Sequence, residues 1–174
     1  MLLGLFVRFA DPTTVREPVR LKADERDLRL VRVHHRLFYA ILLAAPVEWV
    51  LRGRPGSLAQ LVAAGLLLAG IIGYRRAGGA LGMQLSPLLA PREPAALVDG
   101  GPYRAVRHPM YLAQLAMAVG ATLLLGARAP LVLVGGLAVV LARRMGIEEG
   151  LLVERLPGYR AYAKRTYRLI PYVY

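Results

Sequence analysis

The sequence predicts an all-α integral membrane helical bundle of about four transmembrane helices, with a C-terminal amphipathic helical segment folded over one end. Three observations lead there. Hydrophobic residues make up 56% of the 174 residues while aromatics are only 7%, and the excess is Leu, Ala, Val and Gly gathered in blocks. The mean hydropathy is +0.45, too apolar for an ordinary soluble domain. Lys and Arg fall between the apolar blocks instead of along one face.

The same facts exclude several function classes. The net charge is +12, but a nucleic-acid binder would collect its basic residues on a soluble surface with stacking aromatics. Here they occupy connectors, the pattern that orients membrane helices. The chain has no Cys, so disulfides, thiolate metal sites and a cysteine nucleophile are ruled out. The length implies a single domain over residues 1–174.

Taken in order, Met1 to Ala10 is apolar, too short to span and interrupted by Arg8. It lacks the leading positive charge and the cleavage site of a signal peptide, so it is expected to stay as an interfacial anchor. Asp11 to Arg36 carries charges of both signs, is broken by Pro12 and Pro18, and is predicted to be helical from Leu21. Residues 1–36 are thus expected to form a charged juxtamembrane segment. Within it, His34 and His35 are adjacent, point to different helix faces and have no carboxylate at ligand spacing. They are expected to be interface residues, not metal ligands.

Residues 37–74 hold two predicted spans. Leu37 to Leu51 contains Pro46 and ends near Trp49, which suits the headgroup level, whereas Ser57 to Tyr74 has no charge at all. Arg75-Arg76 and Gly78-Gly79 are predicted to close the second span, and Ala80 to Ala90 to lie as a short amphipathic surface helix. Pro87, Pro91 and Pro94 then extend the rest of the connector, residues 75–109.

Residues 110–146 are predicted to be a helical hairpin. Its apolar blocks are Met110 to Leu125 and the shorter Ala129 to Ala142, joined by a tight turn from Gly126 to Pro130. Spanning takes about 20 residues, so these blocks need flanking turns, with Arg143 and Arg144 placed to snorkel. Gly120, Gly135 and Gly136 are expected to let the two helices approach closely.

Orientation follows from charge. Of 23 Lys and Arg, all but Arg52, Arg54 and Arg128 fall on the side that holds both termini, the middle connector and the C-terminal segment. That side is predicted to be cytoplasmic.

Two stretches on this side stand out. In Gly100 to Gln114, the breakers Asp99-Gly100-Gly101-Pro102 force a turn, and Pro109 pre-sets the first turn of a helix. His108 is therefore predicted to be the last non-helical residue, with Arg107 beside it at a helix N-terminus that favours anions. Tyr111 falls one turn in. By position alone, Arg, His and Tyr here are equally consistent with membrane-interface anchoring.

In the second stretch, Ile147 to Pro171, Glu148 lies four residues after Arg144, which alone would make a surface ion pair worth about 0.3–0.5 kcal/mol. Glu149 points about 100° away and cannot easily share that partner. Two carboxylates at a lipid boundary call for something positive. Beyond them, Leu151, Leu152, Leu156, Tyr159 and Tyr162 recur at helical spacing among basic residues, and Pro157-Gly158 interrupts. An interfacial amphipathic segment, helix then break then helix, is expected over residues 147–174.

The ordered string Gly101-Pro102-Tyr103, Arg107-His108-Pro109-Met110-Tyr111, Glu148-Glu149, then Gly158-Tyr159 and Tyr162 resembles the isoprenylcysteine carboxyl methyltransferase and phospholipid methyltransferase superfamily. These are integral membrane enzymes that use S-adenosylmethionine. Arg168 and Pro171 echo the end of that family's tail, while Ala113 stands where members often carry Gly.

The resemblance implies that the chain is a methyltransferase with S-adenosylmethionine as cofactor and S-adenosylhomocysteine as product, and that the C-terminal segment caps a cytoplasmic cofactor pocket. It implies cofactor-binding roles for Tyr103, His108, Tyr111, Glu148, Glu149 and Tyr159, and catalytic roles for Arg107 and Glu148. Arg107 would orient an acidic acceptor or the donor's carboxylate. The partners expected are a lipidic or amphiphilic acceptor and membrane lipids, with no nucleic acid and no metal. A carboxylate is the expected methyl acceptor. An amine or thiol acceptor, as in a phospholipid N-methyltransferase, is the alternative, and a non-enzymatic membrane scaffold or carrier is a third. The Ala, Leu, Arg and Gly bias suits a bacterial inner membrane.

Overall fold

Apolar blocks without local capping residues must satisfy their helix ends through one another, and that requirement organises the bundle. The computed structural model describes residues 25–52, 58–86 and 96–173, and these are all-helical. Helix α1 is Glu25–Arg52, α2 Leu58–Leu81, α3 Pro109–Leu124, α4 Pro130–Arg155 and α5 Tyr159–Arg165. Two single 3₁₀ turns, Gly82–Gln84 and Gly101–Arg104, interrupt the connector between α2 and α3. Among the described residues, three stretches are long and apolar enough to cross a membrane: Leu28–Leu51, Leu58–Gln84 and Pro130–Arg155. Helix α3, with 16 residues, is shorter but equally apolar.

The ends meet in two layers. At one end, the Glu48 carboxylate of α1 accepts from the backbone N–H groups of Arg128 at 3.2 Å and Ala129 at 3.0 Å, supplying the cap that the α4 N-terminus lacks. There too Gln60 of α2 donates to the Leu124 carbonyl at the end of α3, at 3.0 Å. The opposite end gathers the N-terminal part of α1, the start of α3 and the end of α4, and both motifs lie there.

Packing divides the bundle into pairs. Helices α2 and α3 make the most extensive contact, α1 packs on α4, and α3 bridges to both α1 and α4. The core is Phe38, Ile41, Met117, Ala118, Val134, Leu137 and Leu141.

The glycines show where backbones approach, and they correct the expected hairpin. A Cβ on Gly120 would lie 2.6 Å from the Leu67 nitrogen of α2, and one on Gly70 would lie 2.8 Å from the Met117 nitrogen. Gly135 faces open space, and Gly136 meets only the Leu37 side chain. The tight crossing is therefore α2 on α3, not α3 on α4. Ala113 sits on this seam: a Cβ on Gly70 would lie 2.9 Å from its carbonyl oxygen, so the glycine is supplied by the facing helix. Gly120→Ala is expected to destabilise the protein by about 1–3 kcal/mol, because the obstacle is backbone and cannot swing away. Gly135→Ala should be neutral. Thermal unfolding of both variants in detergent checks the pair.

Other boundaries also shift. Helix α1 is one continuous helix through Pro46, not a juxtamembrane helix followed by a separate span. Helix α2 runs through Arg75, Arg76, Gly78 and Gly79 to Leu81, since a span exposed to lipid keeps its internal hydrogen bonds past a glycine pair. Ala80 and Leu81 thus extend α2, and no surface helix starts there; residues 87–90 of that stretch lie outside the described residues. The proposed anchor at Met1 to Ala10 and the charged segment as far as residue 24 lie outside them too. Helix α4 does run on past Ala142, but Arg144 does not snorkel: it is 4% exposed and turns inward.

Candidate active site

The turn before α3 is built from its breakers. Gly101 adopts φ +59° and opens the 3₁₀ turn Gly101–Arg104, and His108 stays non-helical ahead of Pro109 at the first position of α3. Arg107 and His108 thus reach the end of the bundle on a fixed stalk. Their backbone N–H groups donate to the carbonyls of Tyr167 at 2.8 Å and Arg168 at 3.2 Å, and the Tyr167 N–H donates to the Ala105 carbonyl at 2.9 Å. The C-terminal segment is thereby strapped in parallel across the approach to α3. Gly158 makes this return possible: with φ +85° it breaks the chain after α4 and lets α5 start in a new direction.

From opposite helices, the two motifs meet. Glu149 of α4 accepts from Arg107 Nε at 2.9 Å and lies 3.1 Å from His108 Nε2, while its other oxygen lies 3.2 Å from Arg168 Nε. Glu148 accepts from the Tyr111 hydroxyl and, at 3.1 Å, from Arg144 Nη2. His108 faces both carboxylates, its Nδ1 3.8 Å from Glu148, and its ring stacks parallel on Tyr111. The Arg144 guanidinium lies over the Tyr111 ring at 5.5 Å. The pairs are partly or wholly buried, so their geometry is held against water far better than on a surface.

Arg107 does more than pair with Glu149. Its Nη1 donates to the carbonyls of Ala163 and Thr166, both at 2.6 Å, and so closes the C-terminus of α5. One planar fork joins the α3 stalk, α4 and α5, which a point charge could not do. At the outer edge, Arg165 forms an exposed ion pair with Asp99.

Tyr103, Tyr159 and Tyr162 are buried beneath the strap. The Tyr162 hydroxyl donates to the Tyr103 carbonyl at 2.8 Å. Burial pushes the Tyr162 phenol up to about 12 and raises those of Tyr103 and Tyr159 further, with the Glu149 charge adding to the rise at Tyr159. These phenols therefore remain neutral donors at any working pH. Tyr162→Phe removes one buried hydrogen bond and is expected to cost about 1 kcal/mol, read as faster amide exchange over residues 159–168.

Of the residues expected in the site, Arg107, His108, Tyr111, Glu148 and Glu149 contact one another directly, while Tyr103 and Tyr159 are buried and joined through Tyr162. What the sequence reading missed are the inward partners. Arg144, expected to snorkel, turns inward onto Glu148, and Arg168, which echoes the family's tail, meets Glu149. His34, expected at the membrane interface within the charged segment, is instead buried between Gln114 and Arg144, and Gln114 is a polar residue inside an apolar helix, itself a pointer in lipid. Among the described residues no group of side chains could hold a metal ion.

Helices long and apolar enough to cross a membrane, with a charged cluster at one end, define a multi-pass integral membrane protein. The family model for phospholipid methyltransferases matches residues 58–157, more than half of the chain, and the chain belongs to that family. It is accordingly an S-adenosylmethionine-dependent methyltransferase. A search of curated proteins finds no match.

The chemistry of these residues would suit that cofactor. Glu148 and Glu149 would offer anionic oxygens to an ammonium, a sulfonium or ribose hydroxyls, Arg107 and Arg168 would offer forked donors to a carboxylate, and Tyr103 and Tyr159 would offer buried aromatic faces.

Proposed function

We propose that this protein methylates the carboxylate of a lipidic or amphiphilic acceptor, at a site formed where the α3 stalk meets the end of α4. The observation that carries this reading is the charge balance of the cluster. Three guanidinium groups, Arg107, Arg144 and Arg168, surround two carboxylates, Glu148 and Glu149. The surplus is positive, which favours an anionic acceptor.

When bound, S-adenosylmethionine supplies an electrophilic methyl group on a sulfonium centre. Glu148 and Glu149 hold the positive groups of the donor, while Tyr103, His108, Tyr111 and Tyr159 shape its pocket. Arg107 orients an acidic group and, through its carbonyl contacts, keeps the strap closed over the reacting atoms. A carboxylate acceptor carries no proton to remove, so no free base is needed. Closing the strap excludes water, which strengthens every charge interaction inside and fixes donor and acceptor in line. The basic bias of the connectors favours a cytoplasmic site with both termini on that side, where the donor is available.

The family membership favours a second reading, transfer to an amine of a phospholipid headgroup. The two are separated by incubating purified protein with labelled donor and either a prenylated cysteine or an ethanolamine phospholipid. A methyl ester releases its label as methanol in mild alkali, whereas an N-methyl group does not. Alkali-stable label on the phospholipid alone would overturn the carboxylate reading.

A further inference from the structure

One helical turn inward from the site lies a second polar layer, formed by residues outside the family's motif string. His34 of α1 is 2% exposed, Gln114 of α3 is 6% exposed and Arg144 of α4 is 4% exposed. His34 Nδ1 lies 2.6 Å from Arg144 Nη1, and His34 Nε2 lies 3.0 Å from Gln114 Oε1. The roles are fixed by chemistry. Arginine has only donors, so Nδ1 must accept; the imidazole is then the neutral tautomer with its proton on Nε2, which donates to Gln114. Arg144 turns the rest of its fork on Glu148, with Nε at 3.3 Å and Nη2 at 3.1 Å.

An ionised side chain inside a helical membrane bundle is costly, and three polar residues from three helices would be an expensive way to pack a core. The arrangement is also directional: Gln114 holds His34, His34 holds Arg144, and Arg144 holds the carboxylate of Glu148. Helix α1 lies wholly outside residues 58–157, the part that matches the family. The layer therefore ties the family's acidic pair to a helix beyond the matched region.

We propose that His34, Gln114 and Arg144 are positioning residues for methyl transfer, with His34 as the acceptor that locks Arg144 so that Glu148 faces the donor. This rests on the reading of Glu148 as a donor contact. Removing the acceptor frees the guanidinium to swing, and Glu148 follows it. The loss falls on donor binding more than on turnover at saturating donor. A purely structural role would instead reduce the amount of active protein and leave the donor constants unchanged.

The test uses the full-length protein in detergent, with S-adenosylhomocysteine affinity by calorimetry and the KM for S-adenosylmethionine as separate readouts. His34→Leu is expected to weaken both about tenfold or more, since it strands a charged donor. His34→Asn places an amide oxygen near the former Nδ1 and is expected to stay within about threefold of the parent protein, the result an acceptor role requires. Gln114→Leu, an apolar residue in an apolar helix, is expected to weaken both about threefold, and it provides the measurement if His34→Leu is not recovered folded. Unchanged constants in the recovered Leu variants, or an Asn variant as impaired as Leu, would overturn the proposal. Glu148→Gln separates the premise: if it binds as tightly as the parent protein, the reading of Glu148 fails. If it loses binding while the His34 and Gln114 variants keep theirs, only the positioning layer fails.

Discussion

Glu149→Ala is expected to abolish measurable binding of S-adenosylmethionine and, with it, methyl transfer. Glu149 is the anion at which Arg107, His108 and Arg168 converge, within 2.9 to 3.2 Å. Without it, three basic side chains face one another in a partly buried space. Breaking such a pair from one side costs about 3–5 kcal/mol, because the partner left behind keeps its desolvation penalty. The strap keeps its backbone bonds but loses its side-chain anchor, since Arg168 meets Glu149 directly and Glu149 steadies Arg107. Binding should therefore fall by more than about a hundredfold. Glu149→Gln, which keeps an accepting oxygen but no charge, should fall between the two. Calorimetric titration gives the answer, and an Ala variant with parental affinity would remove Glu149 from the site.

The second large effect is expected from Arg107→Lys. An ammonium can meet Glu149, but it cannot at the same time reach the Ala163 and Thr166 carbonyls from the same stalk. The charge is retained and the fork is lost. We expect kcat/KM to drop about a hundredfold, a transition-state loss of about 2.7 kcal/mol. Protease sensitivity near residue 158 should rise alongside. Full turnover with a protected strap would show that the fork is dispensable.

How much of this was legible beforehand depended on the kind of signal. Pro109 and the breakers before it mark the start of α3 because their backbone limits are local, and the structure keeps His108 outside the helix. Gly158 likewise announces the break before α5. The convergence of Arg107 and His108 with Glu149 was readable only through the family motif, since 41 or 42 residues separate the partners.

Helix pairing was not legible. In lipid both faces of a helix can be apolar, so periodicity does not say which face meets which neighbour. Gly120 was accordingly assigned to the wrong crossing, and the role of Gly70 went unseen. Arg144 was misplaced for a related reason: a helix end rich in arginine looks the same whether a guanidinium turns toward headgroups or toward His34. Continuous α1 was split in two because its charged first turns look like a solvated segment until a partner helix is known.

The cap that Glu48 places on the start of α4 has a consequence for how the protein is made. Helix α1 leaves the ribosome before α4, yet Glu48 finds partners 80 and 81 residues later in the chain. Neighbouring α2 and α3 can dock as soon as both are inserted, whereas α1 meets α4, on which it packs most, only when that last long helix arrives. The α1–α4 pairing is therefore the late contact of assembly, and a stall before α4 would leave α1 without the helix it packs on most.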